Sequence, residues 1–185
     1  MISLERAFQP LLSPEGRIDD MKQLWAPWRM AYIQGVSEKP ENGCIFCVRD
    51  ICGEDRERLI LYRGEHVFIV MNKYPYTNGH LMIAPYRHTA DLAELTDAEA
   101  LEIHRLLVVC REVLKSRIAP QGFNIGMNLG QIAGAGITDH LHLHIVPRWS
   151  GDTNFMPVFA DVRVIPQHLE ATYAHLVTAF PESIR

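Results

Sequence analysis

Three histidines alternate with apolar residues in the run His140-Leu-His-Leu-His144. A period of two is typical of a β-strand, in which successive side chains point to opposite faces. On a helix, residues two apart diverge by about 200°, so the three imidazoles would not converge. We therefore predict a strand that places His140, His142 and His144 on one face and buries the leucines and Ile145. Such a row of imidazoles indicates a metal site, a catalytic site or both. The alternative is a chance arrangement of histidines on a solvated strand face.

A second group of candidate ligands is the pair of thiols in Cys44-Ile-Phe-Cys47. In a chain from a reducing compartment, this spacing favours metal binding or redox chemistry over a structural disulfide. Two unliganded thiols are the remaining interpretation. Cys52 has no partner in the pattern, and Cys110 lies on the apolar stripe of a predicted helix, so we assign it to the core.

The composition limits the class of protein. The chain has 185 residues, 48% of them apolar and 22% charged, which are ordinary values for a water-soluble globular domain. A net charge of −4 argues against a general nucleic-acid binder but is compatible with a small phosphorylated ligand. We find no run as long as a membrane span and no signal-like N-terminus. The prediction is a cytoplasmic protein with no nucleic-acid and no membrane partner.

We divide the chain into a loosely ordered N-terminal extension, residues 1–20, and a single domain, residues 21–185. Thr96 and Glu99 form a capping box that predicts a helix from there to near residue 117. Pro166 suits the first turn of a C-terminal helix. Short apolar runs bounded by turn residues predict strands at 59–62, 66–71 and 80–85, in addition to the histidine strand. The alternation of residues 123–128 predicts a further strand, and residues 158–165 are a candidate for a last one.

A glycine-rich stretch, residues 129–136, directly precedes the histidine run. Gly130, Gly134 and Gly136 would let backbone N–H groups approach an anion closely. A flexible connection would have the same composition.

The run from His140 to Val146 fits His-φ-His-φ-His-φ-φ, where φ is apolar, and so resembles the motif of the histidine triad (HIT) superfamily of nucleotide hydrolases and transferases. The resemblance covers about residues 21–170 and includes motifs outside the triad. It implies an α+β, HIT-like fold with a mainly antiparallel sheet of about five strands, a long helix and a C-terminal helix. It also implies a homodimer that extends the sheet. The supporting motifs are Asn72, Gly79-His80, Arg87-His88, the capped helix and Asn128-x-Gly130.

The same resemblance implies that His142 is the nucleophile. It would attack the α-phosphate of a nucleotide and form a nucleotidyl-histidine intermediate. A neutral imidazole is a competent nucleophile near neutral pH, and the carbonyl of His140 would fix its tautomer. His144 would donate to a phosphate oxygen or to the leaving group.

Further substrate contacts are implied for residues outside the triad. The loop residues Gly134, Ala135 and Gly136 would supply backbone donors for charge developing on phosphorus. Asn128 resembles the amide on the phosphate side, and Asn72 matches the position that contacts the ribose.

For the two cysteines, the resemblance implies a structural zinc ion. Its ligands would be Cys44, Cys47, His88 and His140, a closed Cys₂His₂ set with no open position. His140 would then hold the metal while His142 performs the chemistry.

After the triad, the motifs Pro147-Arg-Trp149 and Gly151-Asp-x-Asn-Phe155 resemble those of bacterial diadenosine tetraphosphate phosphorylases and hydrolases, of the fragile-histidine-triad-like branch. This resemblance implies that Trp149 would stack on an adenine. The alternative is that Trp149 packs on the body of the protein. Gly136 stands where fragile-histidine-triad hydrolases carry a glutamine, which leaves open whether water or phosphate accepts the nucleotidyl group. The competing functions are a nucleoside phosphoramidase or nucleotidyltransferase of the same superfamily, and a zinc-stabilised nucleotide-binding protein with little catalysis.

Overall fold

The computed structural model describes residues 43–152 and 168–181, which form five strands and two α-helices. The predicted extension 1–20, the predicted strand 158–165 and Pro166 lie outside the described residues. The elements are, in chain order, β1 (Ile60–Arg63), β2 (Val67–Met71), β3 (Leu81–Pro85), α1 (Asp97–Ile118), β4 (Gly122–Gly126), β5 (Leu143–Arg148) and α2 (Leu169–Val177).

The strands form one antiparallel sheet in the order β1-β2-β3-β5-β4. The first three strands make a meander, and β5 lies between β3 and β4. This arrangement, with helices on the sheet, confirms the predicted α+β fold.

The histidine run is only partly a strand, which corrects the sequence prediction. β5 begins at Leu143, so His144 is its only histidine. Continuing the register of β3 and β5 would place Leu141 opposite Pro85, which has no N–H to extend the ladder. Instead, the N–H of Leu141 donates to the carbonyl of Thr89 at 2.7 Å. The chain before Leu143 therefore leaves the sheet.

Helix α1 begins at the predicted capping box. The Thr96 hydroxyl accepts from the Glu99 N–H at 3.2 Å, and the Glu99 carboxylate accepts from the Thr96 N–H at 2.8 Å. Cys110 is fully buried on the apolar side of α1, as predicted. The helix ends where Ala119 adopts a left-handed conformation, with φ of 45°.

Helix α2 is tied to the first strand. The Tyr173 hydroxyl donates to the Ile60 carbonyl at 3.0 Å, and Leu176 is fully buried. The predicted C-terminal helix is thus present, and it begins at Leu169 with His168 as its N-cap. Within residues 43–152 and 168–181, no helix is long and apolar enough to cross a bilayer.

The two faces of the sheet have different environments. α1 packs on β3 and β5, and Ile69, Ile83 and Ile145 on that face are fully buried. On the other face, the register aligns Met82 with His144, and both side chains keep a small exposed area. The sheet therefore presents His144 on the face opposite α1.

The β1–β2 turn depends on a glycine. The Glu102 carboxylate accepts from the N–H groups of Glu65 and His66 at 2.9 and 2.7 Å. A Cβ on Gly64 would contact this carboxylate and lie 2.8 Å from the Val67 carbonyl oxygen. We expect Gly64→Ala to lower the free energy of unfolding by about 1–3 kcal/mol, because neither oxygen can move without breaking a turn hydrogen bond.

Thermal unfolding of matched variants tests this expectation. Gly122→Ala is the control, because a Cβ at Gly122 meets no atom within 4 Å. Equal melting temperatures for the two variants would contradict the account of the turn.

Candidate active site and metal cluster

His142 presents an unprotonated nitrogen. Its Nδ1 lies 2.9 Å from the carbonyl oxygen of His140, and a carbonyl only accepts, so Nδ1 carries the proton. In the neutral ring the lone pair is therefore on Nε2. Burial lowers the pKa of His142 below its usual value, which keeps the ring neutral at pH 7. The geometry gives His142 the state that a nucleophile requires.

His144 has the opposite tautomer because of His80. The backbone N–H of Tyr76 donates to Nδ1 of His80 at 3.1 Å, so the neutral His80 ring carries its proton on Nε2. That Nε2 lies 2.9 Å from Nδ1 of His144, which must accept. The proton of neutral His144 is then on Nε2, a buried atom with no hydrogen-bond partner among the described residues.

Burial, with a smaller effect of the neighbouring His142, lowers the pKa of His144 to about 4. The ring is therefore neutral at pH 7, and its Nε2–H is available to an incoming ligand.

The two imidazoles form a complementary pair. The ring centroids of His142 and His144 are 4.8 Å apart, and the rings are close to perpendicular. One ring offers a lone pair, and the other offers an N–H donor. Such a pair can attack an electrophilic centre and stabilise negative charge on an atom bound to it.

The part that His80 plays does not follow from the sequence. From the sequence, His80 is a surface or satisfied polar residue, as we also infer for His66, His168 and His175. The structure supports the satisfied polar interpretation, but His80 is fully buried and sets the tautomer of His144. The available signal was its position directly before a buried strand, where an imidazole needs a partner.

One of the two predicted asparagines is linked to the pair through His80. The Asn72 side-chain nitrogen is 3.4 Å from Nδ1 of His80. Asn128 lies two residues after Gly126, the last residue of β4, which pairs with His144. The contacts of both asparagines with a substrate stay predictions.

Two backbone N–H groups of the glycine-rich loop donate to carbonyls within the same loop. The N–H of Gly134 donates to the Gln131 carbonyl at 2.9 Å, and that of Ala135 donates to the Gly130 carbonyl at 3.4 Å. Gly136 follows them directly. The predicted role of these N–H groups as donors to phosphate therefore requires the first two to exchange their partners.

Trp149 is attached to the body of the protein. Its indole N–H donates to the carbonyl of Ala119, at the C-terminal end of α1, at 3.1 Å. This contact supports the packing alternative, and stacking on an adenine stays a prediction.

The four predicted metal ligands come together. The ligand atoms of Cys44, Cys47, His88 and His140 all lie within 4.8 Å of one another. The two Nδ1 atoms are 3.2 Å apart, and the sulfur–nitrogen distances include 3.3, 3.5 and 3.9 Å. A tetrahedral zinc ion, with Zn–N bonds of about 2.0 Å and Zn–S bonds of about 2.3 Å, sets nitrogens about 3.3 Å apart and sulfur–nitrogen pairs about 3.5 Å apart. The cluster fits that geometry.

The surroundings of the cluster also suit a metal. Nε2 of His140 donates to the Pro85 carbonyl at 2.8 Å, which leaves the Nδ1 lone pair for a cation. Nε2 of His88 faces the Asp139 carboxylate at 3.9 Å. Burial raises the pKa of the Cys44 thiol to about 11, so its thiolate needs a nearby positive charge at neutral pH.

His140 joins the two sites. Its ring belongs to the cysteine–histidine cluster, whereas its carbonyl accepts the proton-bearing nitrogen of His142. The row of three histidines therefore divides between a metal cluster and an imidazole pair.

Comparisons with known proteins agree with this fold and motif. The profile of the HIT domain matches residues 54–151. An AP-4-A phosphorylase of Mycobacterium tuberculosis is 39% identical over 168 residues, which cover 88% of this chain and 86% of that protein. The chain belongs to the HIT domain family.

Solved structures show the same fold. A HIT family protein from Bacillus subtilis is 29% identical with a TM-score of 0.50, and the match covers 58% of this chain and 74% of that one. A HIT family protein from Mycobacterium smegmatis, described as Zn-bound, has a TM-score of 0.57 over 76% of this chain and 94% of its own, at 22% identity. The second likeness concerns the fold alone.

Proposed function

We propose that this protein is an enzyme that cleaves dinucleoside polyphosphates of the diadenosine tetraphosphate type. The observation that carries the proposal is the pairing of His142 and His144 in complementary tautomers. The name of the Mycobacterium tuberculosis relative, an AP-4-A phosphorylase, supports the substrate class. The cytoplasmic location and the absence of nucleic-acid and membrane partners stay predictions from the sequence.

The reaction would proceed in two displacements. Nε2 of His142 attacks the α-phosphorus, and the bond from phosphorus to the bridging oxygen breaks, with its electron pair leaving on the released nucleotide. Nε2–H of His144 donates to the oxygen that gains charge. Phosphate or water then attacks the nucleotidyl-histidine, and His142 regains its lone pair.

Product analysis tests the proposal. The protein is incubated with diadenosine tetraphosphate, with and without inorganic phosphate. ADP plus ATP formed only with phosphate identifies a phosphorylase, whereas AMP plus ATP identifies a hydrolase. Two ADP would show attack at a β-phosphorus and would contradict the proposed step at the α-phosphorus. No cleavage would contradict the proposal. In that event, turnover of an adenosine phosphoramidate would identify the smaller-substrate alternative, and binding of AMP without any turnover would identify a nucleotide-binding protein.

His80 provides a test of the tautomer assignment within this mechanism. His80→Leu removes the N–H that bonds Nδ1 of His144, so His144 no longer has to keep its proton on Nε2. We expect kcat for diadenosine tetraphosphate to fall about tenfold to a hundredfold. His66→Gln is the control, because His66 lies at the β1–β2 turn and is only partly buried. Equal kcat values for the two variants would contradict the assignment.

We further propose that Cys44, Cys47, His88 and His140 hold a structural zinc ion. The support is the match between their interatomic distances and tetrahedral zinc geometry. Bound zinc would supply the charge that keeps both thiols as thiolates, and the closed ligand set leaves no position for substrate.

We also propose a homodimer formed along β4. Among the residues that the structure describes, this strand is an edge of the sheet, and its Ile125 side chain is 47% exposed. An exposed apolar residue on such an edge favours pairing with a second copy. We expect Ile125→Asp to produce a monomer in light scattering. Leu92→Asp is a control of similar exposure, 49%, away from β4. A dimer that persists in Ile125→Asp would contradict this interface.

A further inference from the structure

Phe46 lies between the two cysteines and contacts both parts of the site. Its side chain is 2% exposed. The centroid of its ring is 4.9 Å from that of His142 and 5.3 Å from that of His140. Phe46, which lies between two of the proposed metal ligands, thus packs directly on the imidazole that we propose as nucleophile.

The His142 ring has two aromatic neighbours. Its Nδ1 is bonded to the carbonyl of His140, but a single hydrogen bond leaves the ring free to tilt about that contact. The ring centroid of His144 is 4.8 Å from that of His142, and the ring centroid of Phe46 is 4.9 Å from it. Removing the Phe46 ring would take away one of the contacts that set the direction of the Nε2 lone pair. In-line attack on phosphorus depends on that direction.

The position of Phe46 depends on its flanking residues. A turn joins the cysteines, with the Cys47 N–H donating to the Cys44 carbonyl at 3.1 Å. On the C-terminal side, Arg63 donates to the carbonyls of Val48 and Ile51 at 2.9 and 2.8 Å. On the other side, the two thiols lie 3.3 and 3.9 Å from Nδ1 of His140, so a cation bound by all three groups would fix the turn relative to His140.

We propose that Phe46 is a positioning residue for His142 and that metal binding at the cysteine–histidine cluster controls it. With the cluster filled, the turn holds the Phe46 ring against the imidazole and the lone pair keeps its direction. With the cluster empty, the turn loosens and the imidazole samples other orientations. This inference rests on the proposed role of His142 and on the proposed metal.

The first test compares two phenylalanine variants of the metal-loaded protein. Phe46→Leu removes the ring at His142. Phe180→Leu is the control, because Phe180 is 8% exposed and its ring packs on Tyr62, away from Phe46. We expect Phe46→Leu to retain its zinc, to lose about tenfold to a hundredfold in kcat and to keep KM within about threefold. Phe180→Leu should keep the kcat of the wild type. A raised KM with unchanged kcat in Phe46→Leu would overturn the proposal, because Phe46 would then contact substrate.

The second test needs no substrate. Proton–nitrogen NMR of the imidazoles reports which nitrogen of His142 is protonated and whether the ring exchanges between states. The zinc-loaded wild type should show one ordered Nδ1–H form of His142. Removing zinc with a chelator should broaden or shift this signal, zinc should restore it, and Phe46→Leu should show the change with zinc bound. An unchanged His142 signal in the zinc-free wild type would overturn the proposal. This readout is independent of whether diadenosine tetraphosphate is cleaved.

Discussion

Replacing His142 by alanine is expected to lower turnover of diadenosine tetraphosphate by about a thousandfold or more. Among the described residues, the neighbouring His144 offers no substitute for this Nε2 lone pair. Nδ1 of His144 accepts from His80, so Nε2 of the neutral His144 ring carries a proton and has no free lone pair. A water molecule in the resulting cavity would have to attack phosphorus directly, without a covalent intermediate.

The same variant should retain its metal. The side chain of His142 is not among the four clustered ligands, and the carbonyl of His140 remains in place without it. Metal content and melting temperature close to those of the wild type would show that activity is lost because the nucleophile is absent, and not because the fold or the metal is lost. His104→Ala, an exposed change on α1, is the matched control. Full activity in His142→Ala would contradict the assignment of the nucleophile.

Replacing Cys44 by serine is expected to release zinc and to destabilise the fold. A serine hydroxyl is a poor zinc ligand at neutral pH, and three ligands cannot close the tetrahedron. Because metal binding stabilises the folded state, we expect the free energy of unfolding to fall by about 3 kcal/mol or more. Activity should fall as a consequence, since His140 belongs to both sites.

Metal analysis and thermal unfolding of two serine variants test this expectation. Cys52→Ser is the control, because Cys52 is exposed and lies outside the cluster. The wild type treated with a chelator should unfold at a temperature close to that of Cys44→Ser. A Cys44→Ser protein that keeps one zinc per chain would contradict the proposed ligand set.

Local patterns predicted much of this structure. The capping box of Thr96 and Glu99 marks the start of α1, and the buried run of β2 marks a core strand, because both depend on neighbours in sequence. The clustering of Cys44 with His140 could be inferred only through the resemblance, since the two residues are 96 positions apart.

Other features depend on contacts that no local pattern records. The start of β5 is set by Pro85 on the neighbouring strand, so the alternation of His140, Leu141 and His142 overstated the strand. His80 is a single imidazole that belongs to no periodic sequence pattern, and its partner His144 is 64 positions away. Its importance follows only from the backbone N–H of Tyr76, which fixes the tautomer.

The most direct test of the central claim is the stereochemical course at the α-phosphorus. A diadenosine tetraphosphate made chiral there by a sulfur substitution is cleaved by the wild-type protein with phosphate, or in oxygen-18-labelled water if water is the acceptor, and the configuration of the product is determined. Two displacements through His142 predict overall retention of configuration, because each in-line attack inverts the centre once. Inversion would show a single direct attack by phosphate or water, and it would contradict a nucleotidyl intermediate on His142.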